Sequence, residues 1–403
     1  MLFSFGKASI GWGRLLKIAM FTDTYLPTKD GVVTSILTSK EQLEKKGHEV
    51  IIFAPEPSTG EKEEGVQYYK SKEFKKYPGY NLPIYIEKKI DILKDLDVDV
   101  IHCHALAVMA LRGMLDARET GKPIVVTFHT MVTDAAQYYN PLPFPTWMTQ
   151  RLSWIYLRKL LEHADSVIAP TDAIRKELCL QAPGMRHIDV VPTGIDCKRF
   201  STSVNGDRIR EKYGLQNKKV LLQLGRVARE KNIELVMDSF ADCMKKDDKI
   251  TLLIAGSGPA KEYYMEYAEK AGITGRTVFA GFVPDEDLPE YYAACDAFIT
   301  ASKFETQGLT TLEAMACGKP VAGINYRATS EIIHDGENGF LFEDDIASCS
   351  DAIFNALNCP QEIKNHARDT GERFSSEKCA SMLLQTYEYA IEAKKKRHQS
   401  GRR

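Results

Sequence analysis

The 403-residue chain has no CxxC pair, and its nine cysteines are odd in number and scattered. That excludes a secreted disulfide framework and points to reduced thiols in a cytosolic setting. No apolar run approaches the roughly 18 residues that cross a bilayer. Neither sign of charge is in real excess. The net charge of −2 gives no global attraction to nucleic acid or to anionic membrane, so any such attraction must be local. The opening stretch, MLFSFGKASIGWGRLLK, is too weakly apolar and too glycine-interrupted for a signal peptide, and reads as an extension before the first strand. What remains is a folded composition, 44 % hydrophobic, too long for one ordinary core. Two domains are expected.

Short apolar runs alternate with helical patterns throughout, as in βαβ units around a parallel sheet. Candidate strands in the first half cover 16–23, 49–56, 99–105, 123–130, 166–171 and 188–194; in the second, 218–226, 249–258, 277–283, 296–302, 320–325 and 339–342. The seam falls after Gly194, where periodicity is lost. This divides the chain into an α/β lobe at 1–194, a second at 195–375, and a final helix with a basic tail, KKKRHQSGRR, at 376–403. Doubly wound lobes bind ligands beyond the carboxyl ends of their strands, so the chemistry is sought in those loops.

The stretch SKFETQGLTTLEAMACGKP sets Glu305 and Glu313 eight positions apart around Gly308. Paired hydrolytic carboxylates lie roughly 5 to 9.5 Å apart. Eight helical residues span about 12 Å, which fits that reading poorly. With the helix starting near Thr306–Gly308, Glu305 stands at its entrance and Glu313 two turns inside. The early N–H groups near Gly308, Leu309 and Thr310 then offer an anion site that a side-chain-free Gly308 lets a ligand approach. For one glutamate alone, a dipole partner or a solvated residue is the better account.

ETQGLTTLEAM resembles the EX7E motif of retaining glycosyltransferases of the GT-B fold, family 4. The resemblance implies two Rossmann-like doubly wound lobes with an interdomain cleft, acceptor lobe first and nucleotide-sugar lobe second, the final helix crossing back to the first. It gives Glu305 the donor-sugar hydroxyls, Glu313 the ribose, and the Gly308–Thr310 segment the sugar and diphosphate.

Other blocks extend it. LGRVAREKN puts Arg226 and Lys231 beyond a strand end, where two cations can neutralise a diphosphate; GRxxxEKN in the family assigns them that task. LIAGSGPAKE fails the dinucleotide fingerprint, because Lys261 stands at the third glycine, but its turn with Gly256 is similar to one in the family. GFVPDEDLPEYYAACD resembles the base loop, with backbone at Phe282 and Val283 facing the nucleobase. DTYLPTKDGV matches the first-lobe glycine loop, placing Gly31 at the donor and Asp23 and Tyr25 toward the acceptor. TFHT sets His129 beside the reacting sugar, as an orienting group. A lone histidine is more often a packed residue.

Two metal readings are weak. His102 and His104 lack a third ligand. Asp97-Val98-Asp99 and Asp285-Glu286-Asp287 fit only a loose DxD pattern and read as solvated acidic turns. With two cations available for the diphosphate, no metal or other cofactor is required.

The expected activity is retaining transfer of a hexose, from UDP-glucose by resemblance, to a lipid such as diacylglycerol. Two stretches suit a membrane surface: YYKSKEFKKYPGY (68–80), mixing lysines with aromatics, and TWMTQRLSWIYLRKLL (146–161); the basic tail would add attraction. The protein is therefore expected to be cytoplasmic, peripheral on the inner face of the plasma membrane, with no nucleic-acid partner. The alternatives are a GDP-mannose- or UDP-sugar-dependent transferase acting on a polyprenyl or inositol lipid or a soluble sugar, and a non-catalytic nucleotide-sugar binder.

Overall fold

The structure is a computed structural model that describes residues 14–73, 81–83, 89–104, 106–131 and 145–400. The strands are β1 (Lys17–Phe21), β2 (Glu49–Pro55), β3 (Val66–Tyr69), β4 (Ser71–Glu73), β5 (Asn81–Pro83), β6 (Val100–Cys103), β7 (Ile124–Thr127), β8 (Ser166–Ala169) and β9 (Ile188–Val190). They continue as β10 (Lys219–Leu224), β11 (Ile250–Ala255), β12 (Thr277–Gly281), β13 (Ala297–Thr300), β14 (Val321–Ile324) and β15 (Gly339–Phe342). All twelve runs read from the sequence form strands. Each lobe is a parallel sheet, ordered β3-β2-β1-β6-β7-β8-β9 in the first and β12-β11-β10-β13-β14-β15 in the second.

Continuous apolar runs arise because both faces of each sheet are covered. Along β1, Ile18 and Met20 join one core while Ala19 and Phe21 join the opposite one. Along β10, Val220 and Leu222 lie on one face and Leu221 on the other. The unforeseen strand β3 sits at the edge, three of its four residues only half-buried, and so lacks the fully apolar signature. The small hairpin β4–β5 was also unforeseen.

The chain passes between lobes beside Ile195 and returns beside Ser376. The two crossings are stitched by Ile195 N–H to Phe374 O (2.8 Å) and Ser376 N–H to Ile195 O (2.9 Å). The helix Ser376–Ser400 then packs Leu383, Leu384, Tyr387 and Ala390 into the first lobe's core. Thr386 Oγ1 donates to Asp189 (2.7 Å), and Lys394 and Arg397 both pair with the fully buried Asp165. Part of the basic tail is thus an internal tether. Of the surface stretch 68–80, residues 74–80 lie outside the described residues, as do the extension 1–13 and the end of the tail, 401–403.

Candidate functional site

Both sheets reverse their strand order at one gap, between β1 and β6 in the first lobe and between β10 and β13 in the second. The loops leaving those strands open into a crevice where side chains from neighbouring loops converge. The sequence motifs with Gly31, Arg226, Lys231, Glu305 and Gly308 all lie on these loops.

After β10 the chain makes a single 3-10 turn, Arg229–Lys231, then enters the helix Ile233–Lys246. After β13 it runs to Gly308, whose positive φ of 78° admits glycine readily, and into the helix Leu309–Ala316. Lys231 Nζ reaches across to Glu305 Oε1 at 2.6 Å. Burial pulls the Glu305 carboxyl up, but the Lys231 charge and its hydrogen bond more than offset this and hold it below its ordinary value. Arg226 is half-exposed, 4.0 Å from the buried Glu230. The first amide bonds of the 309–316 helix are Thr311 N–H and Leu312 N–H to Gly308 O. The Leu309 and Thr310 N–H groups therefore precede the ladder at its positive end.

Glu313 is the fifth helical residue, one turn in rather than two, because the helix begins one residue after Gly308. It is buried, and its Oε2 accepts from Tyr292 OH at 2.6 Å. Burial pushes its carboxyl up to about 7. Gly256 plays a part that its motif did not reveal. A Cβ there would lie 1.9 Å from Gly225 O, so this glycine lets the β11 loop pass against the loop that carries Arg226. Val227 N–H to Ser257 O (3.0 Å) fastens the two loops together. Beyond β12, Phe282 is three-quarters exposed (75 %) and Val283 is buried.

In the first lobe, Gly31 opens the helix Gly31–Lys45, which Asp30 caps through Val32 N–H and Val33 N–H (2.9 Å each). Gly31 faces Leu309 of the second lobe across the crevice, 3.6 Å from where its Cβ would stand. Asp23 is half-buried, with its two carboxylate oxygens accepting the N–H groups of Ala107 and Met109 at the start of the helix Val108–Thr120. Burial raises its carboxyl despite those bonds. Tyr25 is buried and donates to Glu63 at 3.1 Å. His129 lies two residues past β7, its Nε2 3.0 Å from His104 Nδ1, and burial pushes it down to about 4, leaving a neutral ring at pH 7. His102 and His104 do share a side, rings 3.9 Å apart, and His102 bonds Tyr387 OH and Thr127 Oγ1 at 2.7 Å each.

The acidic turn 285–287 is not simply solvated. Asp285 pairs with Lys29 (2.7 Å) from the other lobe and with Arg199 (3.0 Å), and Asp287 pairs with Arg208. At the other DxD-like turn, Lys122 holds Asp97, and Asp99 accepts from Arg14 and from Lys17 N–H. Lys29 and Arg199 were missed in the sequence; Lys29 lies two residues before Gly31, and an inter-lobe partner has no local signal.

Two facing Rossmann-like lobes, with a cation pair and an open helix end at the second lobe's switch point, define a glycosyltransferase of the GT-B fold. The chain belongs to glycosyltransferase family 4: residues 29–199 match the profile "Glycosyltransferase Family 4" and residues 205–374 match "Glycosyl transferases group 1". It is 34 % identical over 370 residues to the alpha-monoglucosyldiacylglycerol synthase of Streptococcus pneumoniae, covering 87 % of this chain and 80 % of that protein. It is 27 % identical over 333 residues to a GDP-mannose-dependent alpha-mannosyltransferase of Mycobacterium tuberculosis, covering 81 % and 83 %. Among solved structures, Anabaena Alr3699/HepE in complex with UDP-glucose superposes with a TM-score of 0.73 at 18 % identity, covering 92 % of this chain and 99 % of that one. The protein is a hexosyltransferase.

Proposed function

We propose that the enzyme transfers glucose from UDP-glucose, with retention at the anomeric carbon, to a lipid hydroxyl such as that of diacylglycerol at a membrane surface. In this reading Arg226, Lys231 and the Leu309 and Thr310 N–H groups receive the diphosphate. Glu305 orients the sugar hydroxyls, Glu313 takes the ribose, and Phe282 and Val283 flank the base. The bond from the anomeric carbon to the phosphate oxygen breaks as the bond to the acceptor oxygen forms on the same face, and the acceptor's proton goes to the departing diphosphate. Catalysis then rests on alignment and on stabilising the leaving group. The neutral His129 ring orients groups beside the sugar, and no metal or other cofactor enters. Gly31 lies close enough to the second lobe to border the donor. Gly256 serves the donor through the loop that carries Arg226. Asp23 would shape the acceptor side by fixing the helix 108–120, and Tyr25 lies next to it.

The observation that carries the lipid acceptor is the helix Thr146–His163. It buries Leu157, Leu160 and Leu161 but presents Trp147, Leu152 and Ile155 to solvent together with Arg151, Arg158 and Lys159. Tyr156 OH to Ala107 O (3.3 Å) ties it to the start of the helix 108–120, which exposes Leu111 and Leu115. Exposed apolar side chains amid cations suit an anionic bilayer surface. Among the described residues no helix is long and apolar enough to cross a membrane. The likeness to a glucosyldiacylglycerol synthase supports the same choice; the likeness to a GDP-mannose-dependent enzyme favours the rival donor.

The test is a panel of UDP- and GDP-sugars, each with diacylglycerol vesicles, polyprenyl phosphate, inositol lipid or simple sugars, reading nucleotide release. Release from UDP-glucose that requires diacylglycerol vesicles is the expected result. Release only with soluble sugars would remove the lipid acceptor, and release only from GDP-mannose would remove the donor.

A further inference from the structure

Between Glu305 and Gly308 stand two residues, Thr306 and Gln307, that reach across to the other lobe. Thr306 Oγ1 donates to His129 O at 2.7 Å, and Thr171 Oγ1 donates to Thr306 O at 3.1 Å. The buried Gln307 carboxamide pairs with both backbone groups of Thr193: Thr193 N–H donates to Oε1 at 2.7 Å, and Nε2 donates to Thr193 O at 2.8 Å. Thr193 lies where the chain crosses between lobes, one residue before Gly194, whose absent Cβ would meet Ser376 Cα at 2.4 Å. Its hydroxyl is 3.0 Å from Ser35 Oγ, on the helix that Gly31 opens.

We infer that Gln307 is a positioning residue, an inter-lobe latch that fixes the Glu305–Gly308 loop to the first lobe and so aligns donor with acceptor only when the lobes are closed. A primary amide is the side chain that offers a donor and an acceptor side by side, and it completes Thr193 as a neighbouring β-strand would. Both Thr193 groups are buried, so losing the amide leaves two unpaired backbone groups in the closed state. In an open state water can satisfy them, which shifts the population away from closure. A second bridge has the same effect farther out. Glu331 accepts Asp172 N–H and Ala173 N–H at 2.9 Å each, and Arg327 pairs with Glu177 at 3.2 Å.

The latch rests on the donor site proposed above, and its test separates the two. Gln307→Met keeps the bulk and removes the pairing; Gln307→Glu restores it only when the carboxyl is protonated. Neighbouring groups are Glu305, held ionised by Lys231, the neutral His129, and Glu331, which caps the helix 172–181. Rates are therefore taken as ratios to wild type at each pH, which also cancels the titration of Glu313. With the donor–acceptor pair that wild type turns over, Gln307→Met is expected to lower turnover at least about 10-fold, for two lost hydrogen bonds. UDP should bind within about 3-fold of wild type, and the UDP-saturated radius of gyration by small-angle scattering should increase. The Gln307→Glu ratio should climb as pH falls from about 8 to about 6.

Turnover within about 2-fold of wild type, a UDP affinity that falls as far as turnover does, or a Gln307→Glu ratio flat with pH would each overturn the latch. Should Gln307→Met not fold, Thr306→Val breaks the His129 bond alone and must show the same pattern, smaller in size. A wild type active only on another donor or acceptor would overturn the proposed substrate while leaving the latch measurable on that pair.

Discussion

Replacing Lys231 with alanine leaves Glu305 without the ammonium 2.6 Å from its Oε1. Both side chains are about one-fifth exposed, 23 % and 21 %, so water screens the pair only in part. Two unit charges about 4 Å apart at an effective dielectric near 20 attract by roughly 4 kcal/mol, and desolvation cancels about half of that. A net coupling of about 2 kcal/mol is expected. Lys231→Ala should therefore destabilise the fold by about 1–3 kcal/mol, through an uncompensated carboxylate more than through lost packing. Glu305→Gln in the Lys231→Ala background removes that charge and should restore most of the loss. Denaturant melts of the wild type, both single variants and the double variant close the cycle. Kinetics give a second reading: in the proposed roles one single variant loses a phosphate cation and the other a sugar contact, so either should lower kcat/KM for nucleotide release by at least about 30-fold, roughly 2 kcal/mol. Stability effects that add within about 0.5 kcal/mol would refute the coupling. Near-normal turnover in both single variants would refute the roles.

If Glu313 takes the ribose as proposed, its carboxyl, raised to about 7, should make donor affinity depend on pH. The ionised form accepts more strongly from a ribose hydroxyl, so UDP binding by calorimetry should tighten as pH rises through about 7, and Glu313→Gln should flatten that slope. Because its folded value lies above the ordinary 4.5, the same group should lower stability as pH rises from about 4.5 to about 7, a drop that Glu313→Gln removes from the melting curves. Gly256→Ala forces a Cβ onto Gly225 O at a φ of 135°; a loss of about 2–4 kcal/mol in melts is expected, with UDP affinity falling because the Arg226 loop shifts. Trp147→Ser with Ile155→Ser should weaken binding to anionic vesicles severalfold while leaving UDP affinity unchanged; intact vesicle binding would take this helix out of the membrane reading. Arg397→Ala leaves Asp165 with Arg186 and Lys394, and should lower the melting temperature by a few degrees, for about 1 kcal/mol.

Much of this enzyme is set by local sequence. The inner strands were legible because a parallel sheet covered on both faces favours runs of consecutive apolar residues, as in KIAMF and ITLLIA. The ETQGLTTLEAM and GRVAREKN blocks were legible because helix ends and tight loops fix residue types at fixed spacing. Tertiary structure alone decided which of these residues meet. Gly256 looks like a phosphate-loop glycine in its turn, but it is a glycine because a second loop passes 1.9 Å from its absent Cβ. Asp23 carries no local sign of the Ala107 and Met109 N–H groups, more than 80 residues away, that its two oxygens accept. Lys394 and Arg397 read as a tail for membranes and instead hold Asp165, 229 or more residues earlier in the chain. Gln307 and Thr193, 114 positions apart, carry no shared pattern at all. Hydrophobic periodicity and capping are local properties that a sequence writes directly; a hydrogen bond between lobes depends on how two sheets come to face each other, and that is settled only when the chain has folded.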